Sequence, residues 1–457
     1  MRAKRPTPQA LLILLTAAVA GAGVAPELVT WIVNCDGSTG YNGIEANVQS
    51  VEYTAGSVYI RSTGIPSHPI GPWPGNPNDA IDKNYLFRIP RVPQQATNHV
   101  ATPLGPIGVF VNGVPVFSAD DGRSYQNQDV WNQNAVLVES ISFDNCLGHP
   151  TMTDAYHYHQ VPECLQVELG DDGLEHSPII GWARDGYPVY GPYAYSNPTD
   201  PNSPLARMLS SYQKRSITDR HVLPDGSVLP PNQWGPNISA QFPLGMYLED
   251  FEFLINSGDL DIFNGRFAVT PEFPGGTYAY FASSDPAGEN AYPYLIGPEY
   301  NGVPILGNNH TVPGTALDYD ACPPPVNNYC ATNPNSAGTH AAISNSGSTS
   351  VSTNDFGLQV TGAAPAQFGL FFYAANQSSA PFGNGYLCVG GQLFRLTPAQ
   401  LTDAGGNAAR LIDFTNQTVP AGGEILPGST WNFQYYHRDT VGSGFNLSDG
   451  LNVPFLP

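Results

Sequence analysis

The stretch IGVFVNGVPVF, residues 107–117, recurs as IGWARDGYPVY at 180–190 and as IGPEYNGVPIL at 296–306. Each copy carries Ile-Gly, then Asn-Gly or Asp-Gly, then a proline two residues further on. Asn-Gly and Asp-Gly between apolar runs predict tight β-hairpins, because a type I′ turn needs positive φ at both central residues. Pro115, Pro188 and Pro304 cannot donate to a ladder, so the second strand of each hairpin is expected at a sheet edge or a bulge. An aromatic strand precedes two of the copies, Tyr156-His157-Tyr158-His159 and Tyr278-Ala279-Tyr280-Phe281. The pattern predicts two related β units in a mainly β, hairpin-rich domain with few short helices. Pro204–Lys214 (PLARMLSSYQK) is the best helix candidate, with proline near its start and apolar residues at helical spacing.

From Ala321 to Thr353 the composition shifts to Pro, Asn, Ser and Gly with few large apolar residues, which reads as a boundary. Beyond it, FGLFFYA, GYLCVGGQLFRL, STWNFQYYHRD and LNVPFL alternate as short strands do and predict a C-terminal β-sandwich. At the other end, Arg2, Lys4 and Arg5 precede an apolar run, Ala10 to Ala20, and small residues at Ala18, Ala20, Gly21 and Ala22. That is the layout of a cleaved secretory signal peptide. The expected division is therefore 1–25 signal peptide, 26–322 first domain, 323–353 linker and start of the second module, and 354–457 β-sandwich.

A net charge of −21 gives the chain no electrostatic reason to bind nucleic acid or an anionic membrane. No stretch after the signal approaches the roughly 20 apolar residues of a membrane span. The protein is expected outside the cell or at its surface, where six cysteines form disulfides. Cys146–Cys164, Cys35–Cys322 and Cys330–Cys388 are the expected pairs, with Cys322–Cys330 as the rival.

Four of the ten histidines fall close together, at His149, His157, His159 and His176. Successive side chains of a strand point to opposite faces, so His157 and His159 share one face while Tyr156 and Tyr158 share the other. Two imidazoles on one face can converge on a metal ion. His149 and His176, flanking the strand, would complete the nitrogen set, with Met152 as a weak thioether ligand. Imidazole-rich sites suit transition metals such as Cu or Zn.

Weaker signals lie elsewhere. Asp259, Asp261 and Asn264 resemble a calcium loop whose spacing departs from the EF-hand by one residue. Asp120–Asp121 and Asp171–Asp172 sit in turn-like sequence and read as solvated loops. Trp182, Tyr187, Tyr190 and Tyr193 read as core packing in preference to a sugar platform. No nucleophile elbow, zincin helix or phosphate loop occurs, so no catalytic residue is legible.

TDAYHYHQVPECL (153–165), preceded by DNCLGHP and followed by HSPIIGWARDGYPVYGPYAY, resembles the YHYH-domain family of exported bacterial proteins. The likeness extends through SSYQKRSITDRHVLPDG, DLDIFNGRFAVTPEFPGGTYAYF and AYPYLIGPEYNG. It implies the fold, and marks His149, His157, His159, His176 and Asp185 as the signature region, without bringing a reaction. Some members carry a second His-bearing strand where this chain has Tyr278-Ala279-Tyr280-Phe281, so a single site is expected here. The tail is similar to a β-sandwich module of large exported bacterial proteins. An exported metal-binding protein is the leading expectation. The alternatives are a surface adhesion or matrix protein that binds carbohydrate or protein, and a metal-dependent oxidase or hydrolase.

Overall fold

The computed structural model describes residues 25–319, 321–322, 326–351, 353–417 and 420–456. The expected signal peptide therefore lies outside the described residues, apart from Ala25. Two compact units divide between Ala321 and Cys322, and both are mainly β. Among the described residues no helix is long and apolar enough to cross a membrane.

One eight-stranded sheet organises the first unit. Its strands, in chain order, are β1 (Pro106–Phe110), β2 (Pro115–Phe117), β3 (Gly148–Pro150), β4 (Tyr156–Tyr158), β5 (Ile179–Ala183), β6 (Pro188–Tyr190), β7 (Gly265–Ala268) and β8 (Thr277–Phe281). Across the sheet they run β7-β8-β6-β5-β1-β2-β4-β3. Hairpins β1–β2 and β5–β6 meet at the centre through an antiparallel β1–β5 pairing. Each hairpin is flanked by a parallel aromatic strand, β4 beside β2 and β8 beside β6, and antiparallel β3 and β7 close the edges. The repeat in the sequence thus builds two halves of a single sheet. Val109, Val116, Tyr158, Trp182, Val189 and Tyr280 are all buried in one core. The same core takes Val51, Val58, Ile60, Phe87 and Ile89 from a four-stranded sheet.

The hairpin turns differ from the expected type. Only the glycines, Gly113 at φ +80° and Gly186 at φ +89°, are left-handed. Gly113 N–H donates to Phe110 O and Phe110 N–H to Val114 O, and the second hairpin repeats this with Gly186, Ala183 and Tyr187. These are three-residue loops closed by a glycine bulge, which demand one left-handed residue instead of two. Nor are β2 and β6 edge strands. Pro115 and Pro188 stand at the first strand position, where a missing donor is tolerated, and both hairpins carry a register shift. The third copy, 296–306, forms no named strand. Its backbone is committed elsewhere: Gly302 N–H donates to Asp185 Oδ2 at 2.8 Å and Asn301 N–H to the Tyr280 hydroxyl at 2.8 Å.

Pro204–Lys214 is no helix. It forms the strands Leu205–Arg207 and Tyr212–Lys214, paired with 193–195 and 251–253. Ser210 Oγ donates to Tyr292 O at 2.6 Å and Ser211 Oγ to Leu260 O at 2.5 Å. Serines that find distant carbonyl partners compete with helical hydrogen bonding. Among the described residues the longest helix is instead Glu163–Leu169, ended by left-handed Gly170 at φ +68°.

In the second unit a five-stranded and a three-stranded sheet enclose a core of Ile343, Leu358, Val360, Phe371, Tyr373, Phe433 and Leu451. This is a β-sandwich, and Asn327–Tyr329 and Ala342–Ser346 of the polar boundary segment contribute strands to it. Disulfides join Cys146 to Cys164 and Cys330 to Cys388. Cys35 and Cys322 are disulfide-bonded as well, and no cysteine is free.

Candidate metal centre

The turn before β3 is built on Asp144. Its Oδ1 accepts the N–H groups of Cys146 and Gly148 at 2.9 and 3.1 Å. Its Oδ2 accepts Gly71 N–H, Trp73 Nε1–H and the Tyr156 hydroxyl at 2.8 to 3.0 Å. This buried carboxylate fixes where β3 begins, and so places His149 directly opposite His157 on β4. Two residues along, His159 returns to the same face. Tyr156 and Tyr158 turn to the other face, where Tyr158 Oη lies 2.9 Å from His68 Nε2.

His149, His157 and His159 are each at most 4% exposed. All three Nδ1 atoms face oxygens: Ser142 Oγ at 2.8 Å, Ala155 O at 3.1 Å and Ser118 O at 2.5 Å, respectively. Ala155 O and Ser118 O can only accept. Ser142 Oγ gives its own proton to Glu139 O, so it too accepts. The proton therefore sits on Nδ1 in each ring, and the three Nε2 lone pairs point inward. His157 Nε2 and His159 Nε2 are 2.9 Å apart. Phe117 stacks on His157 with ring centroids 3.9 Å apart, and Phe143 meets His149 edge-on at 4.9 Å, which hold the rings in place.

A fourth group, absent from the sequence reading, joins them. Glu139 follows the one-turn helix Ala135–Val138, and its Oε2 lies 3.1 Å from His159 Nε2 and 3.4 Å from His149 Nε2. One donor atom from each of Glu139, His149, His157 and His159 falls within 4.8 Å of all the others. Burial pushes the His157 imidazole well below its ordinary value, so it is neutral at pH 7. Neutral imidazoles and a carboxylate are the forms that ligate metals.

The cluster floors an open cleft of about 830 Å³ whose walls include Asp120, Asp121, Arg123, Leu104, Ile141 and Met152. Met152 is 83% exposed on that wall. The acid pair Asp120–Asp121 is not a solvated loop. It opens the strand Asp120–Ser124, and burial pushes Asp121 up to about 6.

His176 is not brought to the cluster. Its ring packs 5.1 Å from Tyr190 and 4.9 Å from Tyr195, with Nδ1 donating to Ser177 O at 2.8 Å. Asp185 is buried in the β5–β6 turn, where its Oδ2 accepts the Tyr280 hydroxyl at 2.6 Å, and burial pushes its carboxyl up to about 6. The groups expected to bind calcium are spent on the chain itself. Asp259 accepts Leu209 N–H, Asp261 accepts Phe263 N–H, Gly265 N–H and the Tyr278 hydroxyl, and Asn264 donates to Phe281 O and Leu295 O. Trp182, Tyr187 and Tyr190 are buried, and the Arg207 guanidinium covers the ring of Tyr193. His68 also lies near Cys146 and Cys164, but their sulfurs are joined in a disulfide and offer no thiolate.

Comparison with curated proteins and with solved structures returned no match. A family model described as YHYH protein matches residues 86–292, a span that holds all eight strands of the sheet and the four converging groups. Residues 86–292 accordingly resemble a YHYH domain, with Tyr156-His157-Tyr158-His159 beside the edge strand β3.

Proposed function

We propose that this chain is an exported protein that binds one transition-metal ion, Cu or Zn, through Nε2 of His149, His157 and His159 and the carboxylate of Glu139. The observation that carries the reading is the 2.9 Å approach of two imidazole nitrogens whose protons are committed to backbone carbonyls on the far side of each ring. Two lone pairs face to face repel, and a cation between them and Glu139 turns that repulsion into coordination. His149 Nε2 and Glu139 Oε2 are buried without a hydrogen-bond partner, as metal-directed atoms are. Carbonyl acceptors behind the rings supply the outer support that ligating histidines use. Export is supported by the oxidised state of all six cysteines.

Elemental analysis of purified protein tests the reading. Wild type is expected to hold one equivalent, and His157→Ala/His159→Ala to hold none. Equal, negligible metal in both contradicts it. A reaction at the metal, oxidative or hydrolytic, is the second reading, favoured by the open cleft and by Asp121 on its wall. A Glu139→Gln variant that keeps metal but changes turnover of a screened substrate would support it.

A further inference from the structure

Three large apolar side chains stand in the cleft above the histidine cluster: Leu104, Ile141 and Met152, exposed by 60%, 79% and 83%. Apolar residues scattered singly on a surface need no explanation, but several gathered around one concavity mark a binding site. The cleft volume, about 830 Å³, falls in the range of small-molecule pockets. At its floor His149 is nearly fully buried, with Nε2 aimed inward and unpartnered.

The charges around the cleft narrow the ligand. Asp120, Asp121 and Glu139 oppose Arg123 on the walls and floor, and a divalent ion on the histidines brings the balance to zero. Neither an anion nor a cation gains from such a field. We infer that the cleft takes a neutral molecule with an apolar body and one lone-pair nitrogen or oxygen, the donor reaching the metal while the body covers Leu104, Ile141 and Met152. This rests on the metal reading above and adds the class of ligand to it.

Cobalt(II)-loaded full-length protein, followed by its visible spectrum at pH 8, supplies the test. 1-Methylimidazole and 1-hexylimidazole share a neutral donor and differ only in chain length. A fully buried methylene strengthens binding by about fourfold, so the hexyl compound is expected to bind at least tenfold more tightly. Ile141→Ser/Met152→Ser should bring the hexyl compound close to the methyl one and leave the methyl affinity unchanged; both residues are exposed, so folding is preserved. Equal affinities in wild type, or hexanoate binding as tightly as 1-hexylimidazole, overturn the inference. A spectrum that ignores both imidazoles while cobalt is bound also overturns it. Failure to take up cobalt at all overturns the metal reading itself, a separately visible result.

Discussion

The two halves of the sheet share a scaffold and differ in what they display. Asp144 caps the turn into β3, and Asp261 caps the turn into β7 through the same three bonds. Each accepts the N–H groups two and four residues on, at 2.9 and 3.1 Å, and a tyrosine hydroxyl from the next strand. The residue before β3 is Leu147 at φ +69°, and the residue before β7 is Asn264 at φ +64°. Tyr156 and Tyr158 correspond to Tyr278 and Tyr280 on the core face. On the opposite face, His149, His157 and His159 correspond to Arg266, Ala279 and Phe281. The Arg266 guanidinium lies over the Phe281 ring, 5.4 Å from its centre, and donates to Tyr195 O. Because a strand alternates faces, one face can hold the fold while the other changes its chemistry. The likeness of the halves therefore belongs to folding, and their difference to the chemistry each face displays.

Breaking the caps should show the largest effect and an asymmetry. Asp144 holds two further donors, Gly71 N–H and Trp73 Nε1–H. Asp144→Ala should cost about 4 kcal/mol of first-unit stability in denaturant unfolding, and Asp261→Ala about 2 kcal/mol. Equal losses would show that the extra partners of Asp144 contribute nothing.

A second pair of substitutions should act alike in both halves. A Cβ on Gly148 would stand 2.4 Å from the Tyr156 hydroxyl, and one on Gly265 2.4 Å from that of Tyr278. Gly148→Ala and Gly265→Ala should each destabilise by roughly 2 kcal/mol. A large effect in one half only would break the structural equivalence.

The hairpin turns sharpen the comparison through pH, since Asn112 occupies in one the position of Asp185 in the other. Burial raises the Asp185 carboxyl to about 6 from an ordinary 3.8, so the folded state binds its proton more tightly than the unfolded chain. Stability relative to Asp185→Asn should rise as pH falls through 6 and level off below 3.8. A difference independent of pH over that window would mean Asp185 stays charged in the fold.

The smallest effect is a gain. Arg266→His/Ala279→His/Phe281→His should take up a second metal equivalent, at least a hundredfold more weakly than the first. Asp259 is the carboxylate whose charge reaches Arg266, and it is already engaged by Leu209 N–H. A second equivalent as tight as the first would make Glu139 dispensable.

Much of this was legible in the sequence, and the rest was hidden for physical reasons. Period-two alternation gave the shared face of His157 and His159, and the Asn-Gly and Asp-Gly pairs gave the two hairpins. Cysteine spacing pointed to the bridge that brackets the histidine strand. Glu139 was missed because it stands on a single helical turn, ten residues before His149, with no periodic signal to place it. His176 misled by proximity in sequence: the helix Glu163–Leu169 and the turn after it carry the chain away from β4 before His176 is reached. Asp120 and Asp121 looked like turn residues because Gly122 follows them, yet Gly122 lies in their strand, its N–H donating to Asp120 Oδ1, and both acids line the cleft. The shared Asp-x-x-x-Gly at 144–148 and 261–265 was a readable signal, and it was obscured by its resemblance to a calcium loop.

Anomalous diffraction from crystals of metal-loaded protein tests the central claim most directly. The account predicts a single strong peak about 2.0–2.2 Å from Nε2 of His149, His157 and His159 and from a Glu139 oxygen. A peak at His176 or Asp261, or none at all with His157 Nε2 and His159 Nε2 still 2.9 Å apart, would contradict it.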